Sequence, residues 1–517
     1  MKKILYIICV VCTASVFSGC SDFLDKLPDN RTELNTSEKV KSLLVSAYPT
    51  NSNAQICVMS ADDIQDNGKQ YSLDVPGVKS LYYWEDVNTL ENDDPYSLWQ
   101  GCFTAITAAN QAIDALNEIG LTDENKNLYS EALLCRAYGY FILANTFCRA
   151  YNPETAQNQL GLPYITEPES VVGETHTRGN LADLYENIYK DIKEALPNVR
   201  LDDDVVSSVH FNKKAAYAFA AQFCLFYDKF DESIDYANEV LGQGTAANLR
   251  DWSYYASMDQ DATTIANQYV SPNENCNLML EDCYSLWAIV SGNYNYEQRY
   301  GHGYAKYNNE GLSADHIWGS RSKIYMSSCV YQPNTHNPVA KFAAYFQQTD
   351  PTNQVGYYHY LSTPFTTDKT LLYRAEAYLL KGDKDNAVND INFWLASHTK
   401  SGDVTISEIK EFFDGVDYTP VPVNTKDEYS IRKHLNPVGF TLADEESEAI
   451  AQCILDFRRI ECSREPERWY DVKRWGIEIT HIVDGGSPLV LLKDDPRRAI
   501  QLPQQVTSAG IEANPRN

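Results

Sequence analysis

Residues that could carry out catalysis are plentiful in this chain, but they do not fall into recognisable catalytic patterns. The sequence holds 71 acidic residues and nine histidines, and it contains no H-E-x-x-H, G-x-S-x-G or G-x-x-x-x-G-K-[ST] motif. No spacing singles out one pair of carboxylates, although a glycosidase pair needs no fixed separation along the sequence. The sequence therefore predicts no catalytic residue and no cofactor, and a hydrolase stays as the weaker alternative.

Aromatic side chains form a second chemically useful group. The chain has 36 tyrosines and 8 tryptophans but only 5 methionines. Tyr and Trp combine a flat apolar face with a polar tip, which suits sugar rings because these present flat C–H faces and hydroxyl groups. Ordinary core packing explains most aromatic residues, so the aromatic content alone identifies no site.

One acidic stretch has a spacing similar to that of a calcium-binding loop. It comprises residues 63–68, with Asp74 further along. Gln65 stands where Asp or Asn would be needed, and Asp74 replaces the closing Glu that supplies two ligand oxygens. An Asn-Gly turn at Asn67 and Gly68 accounts for the same residues. We predict no metal ligand here, and calcium binding stays open.

The first twenty residues have the pattern of an export signal. Lys2 and Lys3 precede an apolar run over residues 4–11, and small residues lead up to Cys20. The run is too short to span a bilayer, which needs about 20 apolar residues. Residues 1–19 are therefore predicted to be a signal peptide. Cys20 is predicted to be lipidated and to anchor the chain in a membrane, with a free thiol as the alternative.

The remaining cysteines and the net charge narrow the range of functions. The mature chain has no C-x-x-C motif, which argues against a zinc ribbon or a thioredoxin-type site. Cys276 and Cys283 could pair in an oxidising compartment, but spacing cannot decide this. The formal net charge of −28 argues against a nucleic-acid partner. It fits a neutral or cationic ligand, and it also fits simple solubility.

Helical periodicity accounts for much of the chain. Apolar residues recur at helical spacing over 99–116, 128–148, 181–196 and 212–227. Residues 228–237 and 373–388 both resemble the turn and second helix of a tetratricopeptide unit, with small residues where two helices would cross. Their separation is far longer than the 34-residue period of such repeats. We therefore expect insertions within the repeat array.

These patterns predict a predominantly all-α fold, in which a tetratricopeptide-like helical scaffold carries long irregular loop insertions. We divide the chain into four parts, which are 1–19 (signal peptide), 20–240 (N-terminal helical region), 241–368 (irregular, aromatic-rich insertion) and 369–517 (C-terminal region with the second repeat unit). Insertions into a repeat array usually map to one face, often the binding face. The insertion is therefore expected to bear the ligand site.

With these segments identified, the chain resembles the SusD/RagB family of bacterial outer-membrane nutrient-binding lipoproteins. The matching segments are 20–25, 99–112, 136–141, 161–164 and, most strongly, 454–461 with its continuation through Trp475. The chain departs from the family at Phe457, where a Glu is usual, at Arg464, where an apolar residue is usual, and at Pro466, where a Gly is usual. The Arg- and Trp-rich C-terminal segment is expected to fix the terminal helices onto the repeats.

The resemblance implies a lipid-anchored protein on the extracellular side of the outer membrane. Such a protein captures oligosaccharides and delivers them to a TonB-dependent, SusC-like transporter; a peptide-binding member of the same family is the alternative. The family also points to two regions for ligand contact. The first holds Tyr83 and Trp84, before the helix that contains Trp99, and the second is the insertion with Tyr296 and Trp318.

Overall fold

The computed structural model describes residues 34–71, 73, 75, 77–168, 176–200, 208–332, 336, 338–350 and 352–516. The predicted signal peptide, Cys20 and Asp74 lie outside these described residues. Among the described helices, none has the length and apolar character required to cross a bilayer.

The N-terminal part is almost entirely helical. Its elements are α1 (Ser37–Leu44), α2 (Ala54–Ser60), β1 (Gln65–Asp66), α3 (Val78–Tyr82), α4 (Pro95–Ile119), α5 (Lys126–Phe147), α6 (Leu181–Ala195), α7 (Lys213–Phe226) and α8 (Phe230–Leu241). The side chains of Asn180 and Asn212 cap α6 and α7 by accepting a hydrogen bond from a backbone N–H of the first turn. Gly139 lets α5 approach α4 closely, because a Cβ there would lie 3.0 Å from the Ile106 side chain.

The insertion is more regular than its composition predicts. Its elements are α9 (Trp252–Ser257), α10 (Ala262–Tyr269), β2 (Asn277–Tyr284), α11 (Trp287–Ser291), β3 (Tyr300–Gly301), α12 (Tyr304–Asn309), β4 (Ala343–Asp350) and β5 (Val355–Thr366). Strands β2, β5 and β4 form an antiparallel sheet in that order. The insertion thus contains a small sheet and short helices between its loops. Tyr, Val and Thr favour strands, so the aromatic content of this region is in part a strand signal.

The C-terminal part returns to helices. Its elements are α13 (Thr367–Leu380), α14 (Lys384–His398), α15 (Ile406–Asp414), α16 (Glu445–Glu461), α17 (Glu467–Arg474), β6 (Ile479–His481), β7 (Leu489–Leu491) and α18 (Gln504–Ser508). The turn between α13 and α14 contains Gly382 at φ +84°, a conformation that favours glycine. Asp383 follows it and caps α14.

Both predicted repeat units are confirmed as helical hairpins, and they are neighbours in space. The α7–α8 hairpin packs on the α13–α14 hairpin through contacts of α7 and α8 with α13. The insertion therefore connects the end of the α7–α8 hairpin to the start of the α13–α14 hairpin. Its two ends meet where the Thr367 hydroxyl donates to the Asn248 carbonyl at 2.8 Å. Arg374 of α13 also donates to the carbonyls of Gly242 and Thr245 at the insertion's start.

The Arg- and Trp-rich segment lies inside the molecule. Trp469 and Trp475 are fully buried. Arg458 of α16 and Arg474 of α17 each donate to the Glu376 carboxylate of α13 at 2.5 Å. Burial alone would raise the pKa of Glu376, but the two guanidinium groups hold it below its ordinary value. These contacts fix the terminal helices onto the repeat array.

Candidate ligand-binding surface

The structure brings together the two sequence regions that family resemblance indicates for the ligand. Strand β1 pairs with β3 in antiparallel register, with Gln65 opposite Gly301 and Asp66 opposite Tyr300. The Asn67 N–H also donates to the Arg299 carbonyl at 2.7 Å. The segment before α4 and the middle of the insertion therefore share one surface.

Trp84 lies in the core beneath this surface. It is 5% exposed, and its indole N–H donates to the Ser60 carbonyl at 2.9 Å. Its ring stacks on His481 of β6 with centroids 4.2 Å apart. Its φ of +52° is uncommon for a non-glycine residue. Trp84 thus joins the region after α3 to the C-terminal strand, and it presents no open ring face to a ligand.

Trp318 is buried as well. It is 3% exposed and stacks on His316 with centroids 4.1 Å apart. Its ring also packs near Trp394 of α14 and Phe457 of α16, at centroid distances of 5.6 and 5.2 Å. Phe457, where the family usually has Glu, fills this aromatic cluster. Trp318 therefore holds the insertion against the repeat helices.

Tyr83 and Tyr296 are the accessible members of the sequence-based set. Tyr83 is half-buried, and its ring meets Tyr300 edge-on with centroids 6.2 Å apart. Tyr296 is 39% exposed in a short 3-10 turn directly before Arg299 and Tyr300. Burial thus separates the four tyrosine and tryptophan candidates into two supporting residues and two that solvent reaches.

Arg299 is a polar residue of this surface that sequence reasoning missed. Its guanidinium donates to both Asp66 carboxylate oxygens, at 3.1 and 3.0 Å, and lies 4.9 Å from the Tyr300 ring centroid. Partial burial would raise the pKa of Asp66, but this pairing and backbone N–H donors hold it below its ordinary value. The pair fixes charged hydrogen-bonding groups beside Tyr83. Because the interaction joins positions far apart in sequence, no local motif could have indicated it.

The residues similar to a calcium loop are engaged elsewhere. Asp63 pairs with Arg459 at 2.8 Å, and Asp66 pairs with Arg299. Gly68 adopts φ +106°, and its N–H donates to the Asp66 carboxylate at 2.9 Å. This is the geometry of a tight turn, and it matches the Asn-Gly turn interpretation.

Cys276 and Cys283 are free, buried thiols. Cys276 directly precedes β2, and Cys283 lies near the far end of that strand. Seven extended residues span about 23 Å, whereas disulfide-bonded Cα atoms lie within about 7 Å. The two thiols therefore do not pair in this fold.

Glu281 is the carboxyl group that comes closest to a glycosidase acid among the described residues. Burial raises its pKa to about 8, and the Tyr138 hydroxyl donates to it at 3.3 Å. It lines a cavity of about 70 Å³, which has room for about five water molecules. Burial is the main cause of the raised pKa, so the shift by itself does not indicate hydrolysis.

Comparison with known proteins identifies the fold. A SusD-like family model described as "Starch-binding associating with outer membrane" matches residues 22–225. A SusD superfamily structure from Bacteroides thetaiotaomicron VPI-5482 shares 18% identity at a TM-score of 0.61, covering 93% of this chain and 100% of that chain. A SusD superfamily structure from Bacteroides fragilis shares 14% identity at a TM-score of 0.61, covering 92% and 99%.

A SusD-like carbohydrate binding protein from Bacteroides vulgatus ATCC 8482 shares 13% identity at a TM-score of 0.61, covering 92% of this chain and 96% of that chain. No curated protein matches the chain. The same helical fold thus extends over nearly the whole length of these structures.

Proposed function

We propose that this chain is a member of the SusD/RagB family that captures oligosaccharides at the cell surface and delivers them to a TonB-dependent, SusC-like transporter. The observation that carries the proposal is the β1–β3 pairing. It gathers accessible tyrosines and a fixed charged pair from two distant segments onto one surface. The family description and the carbohydrate-binding structure of the same fold support a sugar as the ligand.

The chemistry of this surface suits a neutral sugar. Tyr83 and Tyr296 offer ring faces and hydroxyl groups. Arg299, whose side chain is 27% exposed, can donate to sugar hydroxyls, and the fully buried Asp66 side chain holds it in place. Trp84 packs in the core beneath this surface, and Trp318 holds the insertion against the repeat helices. The net charge of −28 disfavours a polyanionic ligand.

The anchor and the partner are further parts of the proposal. We propose that Cys20 carries lipid, which holds the chain on the extracellular side of the outer membrane. The family description associates such proteins with the outer membrane. The stacked helical hairpins form a rigid body that would face the transporter, while the insertion would face the ligand.

Electrophoresis through gels that contain neutral polysaccharides tests sugar binding. Wild-type protein should be retarded in at least one gel, and Tyr83→Ala and Tyr296→Ala should each weaken retardation. Tyr254→Ala is the matched control, because Tyr254 is 50% exposed on α9 and lies outside the β1–β3 pair and the turn before β3. The proposal fails if wild-type protein is retarded by none of the polysaccharides.

The same material separates the alternatives. Release of reducing ends from a retained polysaccharide would identify a hydrolase. Peptide binding without retardation by any glycan would identify the peptide-binding alternative. We expect retardation without hydrolysis.

A further inference from the structure

The inner face of the β2–β5–β4 sheet is buried beside β2, whereas toward the β4–β5 turn it meets solvent at Phe346 and Tyr358, which are 45% and 42% exposed. The other face is open. On the inner face, Cys283 and Tyr360 lie opposite each other and are 1% and 2% exposed. The open face carries the alternate residues, and Tyr345 and Tyr357 on it are 42% and 46% exposed. Because side chains alternate along a strand, the register itself assigns these rings to the open face.

The rings on the open face form a contiguous group. Tyr345 lies opposite His359 in the register, and their rings stack with centroids 5.3 Å apart. Tyr284 meets Tyr357 edge-on with centroids 5.0 Å apart and lies 5.4 Å from His359. Four aromatic rings from three strands thus adjoin one another.

Polar groups are placed among these rings. The Asp282 carboxylate lies 3.2 Å from His359 Nδ1, and its side chain is 49% exposed. Partial burial and this carboxylate raise the pKa of Tyr345 above its ordinary value. Gln347 lies opposite Tyr357 and adds an amide to the same face. The face therefore offers both hydrogen-bond donors and acceptors beside its rings.

Strand β4 lacks the features that usually protect the edge of a sheet. Strand β4 is an edge strand with six consecutive exposed residues, and it contains no Lys, Arg or Pro. Natural proteins usually protect long edges with such residues, and exposed aromatic groups of this kind mark interaction surfaces. Core packing does not explain the rings of Tyr345 and Tyr357, because nearly half of each side chain meets solvent.

We propose that the open face of the β2–β5–β4 sheet, formed by Tyr284, Tyr345, Tyr357 and His359 with Asp282, is a second carbohydrate-binding surface for neutral glycans. The inference rests on the proposed carbohydrate-binding function and adds a site to it. Rings interleaved with a carboxylate, an imidazole and an amide suit sugars, which alternate C–H faces and hydroxyls. Asp282 carries a negative charge on this face, and the five residues that define the face include no Lys or Arg, which argues against acidic glycans.

The rigidity of the surface favours binding. Its tyrosines stand on paired strands, and the sheet is tied to the repeat array where the Asn212 amide donates to the Leu278 carbonyl at 2.8 Å. Ligand binding therefore requires little ordering of the chain, and this reduces the entropic cost of association.

Titration calorimetry on the purified full chain tests the proposal. Amylopectin, galactomannan, arabinoxylan and yeast mannan are first compared in the gel assay. The probes are oligosaccharides prepared from the one that retards wild-type protein most strongly. To isolate the second surface, the titrations use a chain that also carries Tyr83→Ala and Tyr296→Ala at the first surface. In that background the double variant Tyr345→Ala/Tyr357→Ala should raise Kd at least about ten-fold, as expected for truncation of central aromatic contacts. Hydrogen exchange across residues 343–361 should slow when the glycan is added.

Two controls accompany the double variant. Phe346→Ala removes a 45%-exposed ring from the opposite face of the same hairpin, and Tyr254→Ala removes an exposed tyrosine on α9. Both should leave Kd unchanged. An unchanged Kd when Tyr345→Ala/Tyr357→Ala is added to the Tyr83→Ala/Tyr296→Ala background, or no binding by that background chain while wild-type protein binds, overturns the second surface but leaves the proposed function intact. Failure of wild-type protein to bind any probe overturns both.

Discussion

Replacing Glu376 tests whether the buried ionic cluster holds the terminal helices onto the repeat array. Glu376 is fully buried on α13 and accepts from Arg458 and Arg474. Its pKa lies below the ordinary value, so it is ionised at neutral pH. The substitution Glu376→Ala would leave Arg458 with Asp471 alone, because these two also pair at 2.7 Å.

The expected cost follows from what remains around Arg474. Without Glu376, its guanidinium keeps the Leu225 carbonyl at 3.2 Å and the face of the Phe226 ring at 4.5 Å, and neither carries a negative charge. Removing one partner from a buried ion pair costs about 3–5 kcal/mol. That is a large part of the 5–15 kcal/mol by which folded proteins are typically stable.

Urea unfolding followed by circular dichroism at pH 7 measures this effect. Asp231→Ala is the matched control, since Asp231 of α8 pairs with Lys381 beside α13 at 2.9 Å, but on the surface. Exposed pairs contribute about 0–1 kcal/mol, so this control should barely move the midpoint. A midpoint for Glu376→Ala as high as that of Asp231→Ala would refute the argument that the cluster secures α16 and α17.

Three further outcomes are expected. Trp84→Ala should destabilise the fold by about 3–5 kcal/mol, as for other buried aromatic residues, whereas Tyr296→Ala should leave the urea midpoint unchanged. Burial raises the pKa of Glu281 to about 8 from an ordinary 4.5. The unfolded chain therefore releases this proton at lower pH than the folded chain. The free energy of unfolding of wild-type protein, relative to that of Glu281→Gln, should fall as the pH rises from about 4.5 to 8. Parallel pH profiles of the two free energies would contradict this. Cys20→Ala should move the protein from the membrane fraction to the soluble fraction, and its retention in the membrane would exclude the anchor.

The helical hairpins could be predicted because their signals are local. Periodic apolar residues and the short turns at residues 227–229 and 381–383 specify the two hairpins without reference to the rest of the chain. Their stacking could not be predicted, because it depends on contacts across the insertion. Arg374 shows this, since one guanidinium contacts Asp390 of its own hairpin and the carbonyls of Gly242 and Thr245.

The sequence indicated which regions contribute to the ligand surface, but it did not indicate which residues within them are exposed. Trp84 and Trp318 have the right chemistry for sugar stacking, yet His481 and His316 cover their rings. Residue type carries no information on which face of a ring is open, and the covering partner of Trp84 lies near the other end of the chain. Accessibility therefore had to come from the structure.

The open sheet face was missed for a different reason, and its signal was present. Tyr357, Tyr358 and Tyr360 stand close together within β5, and aromatic enrichment of this kind favours a strand. A high content of Tyr, Gly and Asn across the insertion concealed this signal. Amino-acid composition does not distinguish aromatic residues on a strand from those in a loop. Only on a strand does the position in the sequence determine which rings share a face.

The placement of the insertion explains how a repeat array can carry such surfaces. Both ends of the insertion are fixed, because Thr367 joins Asn248 and β5 continues directly into α13. The adjoining hairpins therefore hold the sheet in place. Glu376 belongs to the charged cluster in the core of these hairpins. If that is correct, loosening the core by Glu376→Ala should weaken glycan binding at Tyr345 and Tyr357 under mildly destabilising urea, before the helices unfold. Equal loss of binding and helicity would show instead that the sheet and the array unfold as one unit.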